Sequence, residues 1–600
     1  MWTSYSIFPV LFLFFLALTF AEQSCKCTPN DACWPSPETW NSLNASVSGK
    51  LIRNTPPALS CYPGPYHNEA ECAYVYSQWS NSSFQSLSPV GYVFPTDDPC
   101  PPVDVSSGQK AKECALGPAP IYTINATEPE ELATGIAFAK KHNIRLVVRN
   151  TGHDILGKSE GYGALQIWIK YIRKGIKFHE SYAPSDGCKS TTWNGSALTI
   201  GGGYVWEDAY QEVFRRNMTI VGGGDTNVGC IGGYTQGGGH SPACHDYGLA
   251  ADQVLEAQAV LSNGSIVTAN PCQNPDLYFA LRGGGGGTYG VVTSMTVKVY
   301  PSKPVIAQSL VIRPVGNNTK ALLDAITEIY AHSPSLSDTG FSGYGIWSIN
   351  SPVPIYKNLT RGYYHTFAAM GQSQHKAEKA FRPLFHQLKK YNGTKISISL
   401  EWVQFPTYGA YYRTMWNLHS PVSPAAQSTA SRMLDKRALT SSRAMLRDTI
   451  NVVAGTPEQQ TVNTLDLVGG GKIFEDAEDK LSGVNPAWRS TYVVHLLTRG
   501  WPADADPATA QAVKDDITYT KIGAMRALSP GMGSYMNEDD RYNPFWISDF
   551  FGSNYDRLAS IKRRYDPDDV FYCPKCVGSL SWGERYLPGK DYGALCLVQT

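Results

Sequence analysis

The chain of 600 residues lacks an excess of either charge: 51 Lys and Arg stand against 51 Asp and Glu. With so little to neutralise a phosphate backbone or an anionic bilayer, neither nucleic acid nor a membrane surface is indicated as a partner. Beyond residue 21 no apolar run is long enough to span a bilayer. No internal repeat is present. No lysine is placed as in a phosphate-binding P-loop. The glycine turn of a nicotinamide Rossmann site, opening a helix directly after the first strand and followed by an acid, is also missing. The two commonest nucleotide-binding solutions are thereby excluded.

What is present points first to export. Ile7 to Phe20 is mostly apolar, and Thr19-Phe20-Ala21 offers small residues at a signal-peptidase site, although a positive leading segment is absent. Residues 1–21 therefore read as a signal peptide, and the mature protein is expected to be secreted and extracellular. The 14 cysteines all follow that site, and Cys25, Cys27, Cys33, Cys61, Cys72, Cys100 and Cys114 crowd the first stretch, as disulfides in an oxidising compartment would. Asn-X-Ser/Thr sequons at Asn44, Asn81, Asn125, Asn194, Asn217, Asn263, Asn317, Asn358 and Asn392 predict N-glycans. Cys573-Pro-Lys-Cys576 has half the spacing of a zinc site, but Cys596 is the only third ligand nearby; a disulfide is expected and no metal.

Residues 22–110, rich in Cys, Pro, Ser and Asn, read as a disulfide-stapled extension with little regular structure. Order then rises. Helical spacing runs over 128–141, with Thr127 as cap and Pro129 in the first turn. A strand over 144–149 ends in Arg149-Asn-Thr-Gly-His-Asp154, a polar loop that continues through Gly157 and Ser159. Further strands are expected at 198–200, 253–261, 265–269 and 291–299, and helices at 206–214 and 276–281. Glycine clusters punctuate this region at 201–203, 222–239 and 283–287. Glycine admits φ > 0 and close main-chain approach, which a bound phosphate or flat ring system requires. Residues 111–300 thus read as a mixed α/β domain. Over 301–535 glycine thins out, and amphipathic helices (320–332, 374–390) alternate with strands (396–405, 491–497). This predicts a second domain with an antiparallel sheet and helices on one face, before a cysteine-containing tail at 536–600.

Four motifs together resemble the vanillyl-alcohol-oxidase superfamily, and within it the berberine-bridge-enzyme-like FAD-linked oxidases of secreted fungal type. They are Arg149 to Asp154; Val228-Gly-Cys-Ile-Gly-Gly233 with Gly237-Gly238-Gly239; Arg282 to Thr293 with its five glycines; and Tyr565-Asp-Pro-Asp-Asp-Val-Phe571. The resemblance implies an α+β protein: a PCMH-type FAD-binding domain of two α/β subdomains over 111–300, a substrate domain over 301–535, and a return to the FAD domain over 536–600. It implies that Arg149, Asn150, Thr151, Gly152, Asp154, Gly157 and Ser159 wrap the FAD pyrophosphate, and that His153 bonds covalently to the flavin 8α-methyl. Asp225, Val228, Gly229, Gly232, Gly233, the glycines 237–239, His240, Gly290 and Val291 fall on the other cofactor loops. Members with a second, cysteinyl bond to the flavin carry that cysteine four residues before the glycine of the Val-Gly pair. Here Asp225 stands there, and a single link through His153 is implied. The small Val228 goes with oxygen access to the flavin.

The expected function is removal of a hydride from an alcohol, amine or C–H of a small molecule, with O2 reduced to H2O2. A dehydrogenase using another acceptor and an oxidative cyclase remain alternatives, with a flavin-free binding glycoprotein as a third; a monomer is expected. A base must come within hydrogen-bond reach of the substrate. By position on the substrate-domain strands or before the C-terminal return, the candidates are Glu401, Tyr408, Tyr412, His495, Tyr535 and Asn537, with His240 also placed to face the ring.

Overall fold

Three large sheets, beside two two-stranded ones, organise the described residues of the computed structural model, which are 24–104, 113–184, 186–190, 192–416, 420–502 and 504–598. The expected signal peptide lies outside these residues. The first sheet has the order β1-β2-β4-β3 and comprises β1 (Leu51–Arg53), β2 (Tyr122–Asn125), β3 (Leu146–Arg149) and β4 (Leu165–Trp168). β2 and β3 each run parallel to β4, while β1 is antiparallel to β2. The crossover from β2 to β3 is the helix Pro129–Lys141, which buries Leu132, Ile136 and Ala139. Its first turn is closed by Glu131, whose carboxylate accepts the N–H groups of Thr127 at 2.8 Å and Glu128 at 3.2 Å. The N-cap is therefore Glu128, one residue beyond the expected Thr127.

The 22–110 segment is more regular than its composition suggests. It contributes β1 and the helices Pro37–Ser46 and Glu69–Gln78. Trp40 and Leu43 recur on one helix face, and Trp40 stacks on Tyr122 of β2 at 4.1 Å. A local apolar face outweighs the proline and serine around it. Disulfides staple the segment internally (Cys27–Cys33, Cys61–Cys72, Cys100–Cys114), and Cys25–Cys596 ties it to the C-terminal tail. Cys188–Cys272 and Cys573–Cys576 complete the described pairs, so the Cys-Pro-Lys-Cys motif is a disulfide. Cys230 and Cys244 are free and buried.

The second sheet, β5-β6-β9-β7-β8, is antiparallel throughout: β5 (Ile176–His179), β6 (Ala197–Gly201), β7 (Val254–Val260), β8 (Ile266–Ala269) and β9 (Val291–Lys298). The third has seven antiparallel strands: β10 (Val305–Pro314), β11 (Phe341–Ser348), β12 (Gly362–Met370), β13 (Ile396–Phe405), β14 (Gln427–Asp435), β15 (Val462–Leu467) and β16 (Thr491–Gly500), in the order β13-β10-β12-β11-β15-β16-β14. Side chains alternate between its faces. Ile306, Phe367, Leu465 and Val493 pack under the helices Thr319–Asp338, Gln374–Lys389 and Arg443–Ala454. Their neighbours Ala307, Ala368 and Val494 join the large core shared with the glycine-rich half. The molecule is α+β, with the bare face of the seven-stranded sheet turned toward the glycine loops. No helix among the described residues is long and apolar enough to cross a membrane.

Candidate active site

The loop that leaves β3 is shaped by its own side chains. Asp154 accepts the N–H groups of Leu156 at 3.1 Å and Ser159 at 2.6 Å, holding the turn closed. Asn150 donates to Gly202 O at 2.8 Å. Gly152 and Gly157 adopt φ of +84° and +71°. The loop opens on a cavity of about 250 Å³, presenting Asn150, Thr151, Gly152, His153, Asp154 and Ser159. Ile155 and Lys158 join them; burial lowers the lysine's pKa and the Asp154 charge opposes that shift.

The opposite side of the same cavity is the second glycine loop, with Asp225, Val228, Gly229, Gly232 and Gly233. The third loop adds Gly286, Gly287 and Gly290. Here main chain meets main chain: a Cβ on Gly286 would lie 3.3 Å from the Gly233 Cα. A Cβ on Gly229 would lie 2.4 Å from the Asn150 amide, so only glycine lets these two loops approach. At Gly232 the nearest atom to a Cβ would be 3.9 Å away, on Asn150. That space is left to a ligand. The C-terminal return closes the cavity with Phe571, Tyr572 and Cys573. Phe571 bridges to Leu146 at the start of β3, and the buried Lys562 ammonium donates to Thr288 O at 3.0 Å and Phe571 O at 2.6 Å.

Several expected positions fall elsewhere. Arg149 is buried and points away from the cavity. Its guanidinium donates to the carbonyls of Ser88 and Gly91, lies over the Tyr92 ring at 5.0 Å, and is lowered to about pKa 10 by burial. It anchors the N-terminal extension, whose Phe94 then reaches the cavity beside His153, at 6.2 Å between rings. A Cβ on Gly157 would meet Arg541 and Thr96, outside the cavity. Gly237 and Gly239 let Asn537 and the Tyr234 ring pack at short range and do not line the cavity, nor does Gly238. Val291 points into the core around β3 and β4, and its neighbour Val292 faces the cavity instead.

The base candidates divide in the same way. Tyr535 and Asn537 line the cavity, and the Asn537 amide donates to the Tyr535 hydroxyl and to Gly233 O, both at 2.8 Å. Glu401 sits on the edge strand β13, opposite Ser309, and is solvent-exposed. His495 has the wrong parity on β16. Like Val493 it faces the helices, where its Nδ1 meets the Tyr330 hydroxyl at 2.7 Å, and burial lowers its pKa to about 3. Tyr408 is core. Tyr412 supports the second glycine loop from behind by donating to Gly223 O at 2.9 Å and Gly224 O at 3.0 Å. His240 lies behind the cavity wall, joined to Glu538, which does line it.

Glu538, Ser420 and Phe94 were not legible as site residues, and neither was Asp466, which stands next to His240; Gly286 and Gly287 belong to the expected 283–287 cluster. Asp466 carried one signal: it is the only acid in the strand Val462–Leu467 and shares parity with positions that face the glycine loops.

The residues fit a flat, diphosphate-bearing cofactor: main-chain loops on three sides, a polar loop organised by Asp154, and open space at Gly232. Comparison with known proteins agrees. A family model for the FAD binding domain matches residues 120–270, and one described as berberine and berberine like matches residues 534–578. The FAD-linked oxidoreductase hmp9 of Hypomyces subiculosus is 41% identical over 558 residues, 92% of this chain and 88% of its own. The crystal structure of the VAO-type flavoprotein MtVAO713 from Myceliophthora thermophila C1 is 41% identical, with a TM-score of 0.92 over 96% of this chain and 100% of that one. A glucooligosaccharide oxidase from Acremonium strictum, described with a 6-S-cysteinyl, 8α-N1-histidyl FAD, shares the fold at 18% identity and a TM-score of 0.57, over 76% of this chain and 92% of that one. The chain belongs to the VAO-type, berberine-bridge-like family of FAD-linked oxidoreductases.

Proposed function

We propose that this chain is a secreted oxidase whose FAD is attached once, through His153, and whose reduced flavin is reoxidised by O2 with release of H2O2. One observation supports this above the others: His153, Asp225 and Val228 open on one cavity, and no free thiol lines it among the described residues. Where a bicovalent relative needs cysteine, Asp225 stands, its carboxylate accepting the N–H groups of Asn227 at 2.9 Å and Ser420 at 2.8 Å. Cys230 is buried outside the cavity, and Cys573 is in a disulfide.

FAD, when bound, takes two electrons and a hydrogen from the substrate carbon and passes electrons to oxygen. The chain positions the substrate against it. Tyr535 and Asn537 present a hydroxyl and an amide from the substrate side, and Phe94 and Tyr234 add aromatic lining suited to a small aromatic alcohol or amine. Val228, small and half-buried, leaves oxygen a path to the ring. Export is supported by the disulfides and by the exposure of the sequons at Asn81, Asn194, Asn217, Asn263, Asn317, Asn358 and Asn392. Asn125 is a poorer glycan site, half-buried within β2.

The purified protein should be yellow and should release peroxide with members of a panel of aromatic alcohols and sugars. Val228→Leu should slow reoxidation by oxygen at least tenfold, about 1.4 kcal/mol of barrier, and leave anaerobic flavin reduction unchanged. Undiminished peroxide release from the variant would contradict the oxygen path.

A further inference from the structure

On the substrate side of the cavity one cluster of ionisable groups is drawn from three distant parts of the chain. Glu538 lines the cavity, directly after Asn537, with its side chain 31% exposed. Behind it, His240 Nε2 lies 3.3 Å from Glu538 Oε2. The other ring nitrogen, Nδ1, lies 3.0 Å from the Tyr344 hydroxyl. Asp466 stands directly opposite Tyr344 in the pairing of β15 with β11, and its carboxylate falls with His240 and Glu538 into a group whose ligand atoms lie within 4.8 Å of one another.

The imidazole is held as a fixed relay. Tyr234 donates to His240 O at 2.9 Å, and the Tyr535 ring packs edge-on against the imidazole at 4.8 Å. The Asn537 amide links Tyr535 to Gly233, so the cluster is tied to the cofactor loop. None of the tyrosine hydroxyls around it competes for the proton at neutral pH. Burial pushes Tyr234, Tyr344 and Tyr535 up, and pushes the nearby Cys244 thiol up to about 12.

Two carboxylates around one buried imidazole cannot all hold their charges independently. Burial raises Asp466 to about 7, with the Glu538 charge adding to it and His240 opposing. Burial disfavours the imidazolium of His240, but the charge and hydrogen bond of Glu538 and the charge of Asp466 outweigh it and raise the pKa. Asp466 and His240 are therefore coupled, each setting the other's proton affinity near neutrality.

We propose that Glu538, His240 and Asp466 form one proton-sharing unit that takes the proton leaving the substrate, with Glu538 as the catalytic residue that touches it and His240 and Asp466 as positioning residues. This rests on the oxidase reading of the cavity. For an alcohol, the O–H bond breaks and its proton goes to the Glu538 carboxylate as a carbonyl forms. Bound FAD would supply the two-electron acceptor for the hydrogen that leaves the adjacent carbon with its bond pair, and O2 would carry both electrons, that hydrogen and the stored proton away as H2O2. The balance closes, and no acceptor beyond O2 is needed. General acid–base groups of this kind contribute about 10²–10⁴-fold.

The test needs no identified substrate. Visible absorption of the bound flavin is followed in the holoenzyme from about pH 5 to 9, around the ordinary histidine value, in wild type, Glu538→Gln, Asp466→Asn and, as a control, the exposed edge-strand variant Glu401→Gln. The wild type and the control should show the same proton step. Glu538→Gln should lower the step by at least about one pH unit, a tenfold change in proton affinity, because the Glu538 charge raises both His240 and Asp466, and Asp466→Asn should move it as well. Bound flavin in each variant reports that the fold is intact. A wild type with no step in this range, or a step unmoved in both cluster variants, would overturn the proposal and leave the oxidase reading standing. A colourless wild-type protein would instead sink the oxidase reading, and the proposal with it.

Discussion

The two walls of the cavity are built from different materials. The cofactor wall is mostly main chain: loops after β3, around Gly229–Gly233 and around Gly286–Gly290, brought together by the absence of side chains. The substrate wall is mostly side chain: Tyr535, Asn537 and Glu538, supported by His240 from the end of the second glycine loop and by Tyr344 and Asp466 from the bare face of the seven-stranded sheet. A wall of main chain constrains which residues are forbidden; a wall of side chains constrains which are present. The first kind of constraint leaves glycine runs of recognisable spacing. The second leaves single residues scattered over hundreds of positions.

The side-chain wall should be the more fragile in stability. Ser534 to Asn543 is pinned by a buried network in which Asp549 accepts from Arg432 at 2.9 Å and from Arg526 and Asn543. Asp549→Ala strands the buried Arg432 guanidinium and frees the half-buried Arg526, and should cost about 3–5 kcal/mol, read as a fall in thermal midpoint. A loss within about 0.5 kcal/mol would show that the network does not carry the substrate wall.

The main-chain wall should be the more fragile in cofactor loading. Gly232→Val places a side chain in space that nothing in the chain fills, and flavin content should fall at least about tenfold, 1.4 kcal/mol of binding, with little change in the rest of the fold. The ratio of visible to ultraviolet absorbance measures it. Unchanged loading would mean that the cofactor does not lie against Gly232.

A smaller effect separates the two faces of the sheet. His495 on the helix face stays neutral because burial lowers its pKa from 6.5 to about 3. The unfolded chain takes up a proton below about 6.5 that the folded chain refuses. Its contribution is therefore complete above that pH and is lost as pH falls toward 3, by at most about 1.4 kcal/mol per unit. His495→Gln keeps an acceptor for Tyr330 and should lose less stability than wild type between pH 6 and 4, within that acid window, in paired thermal melts. Parallel curves would show that His495 is not the acid-sensitive group.

These differences explain what the sequence made legible. The helices and strands of the glycine-rich half stand within a few residues of their expected limits, because alternation, helical spacing and turn residues are local properties. The glycine loops were legible for the same reason, while the α+β architecture followed from the family resemblance that those loops carry. Arg149 was placed on the cofactor loop by the family resemblance, but its side chain turns to the carbonyls of Ser88 and Gly91 on the other side. His495 and Glu401 failed on two tertiary facts that no local pattern encodes: which face of β16 meets the helices, and which strand of the sheet is the edge. Glu538 stood one residue from an expected position. Its importance becomes visible only when β11 and β15 bring Tyr344 and Asp466 to His240.

His153 alone is proposed to hold the cofactor. Wild-type protein and His153→Ala are precipitated with acid, and the flavin in pellet and supernatant is measured. In the wild type the colour should stay with the denatured protein, and in His153→Ala it should pass wholly into the supernatant. Flavin that remains on the denatured variant would establish a second attachment and contradict the assignment of Asp225 as a non-bonding position.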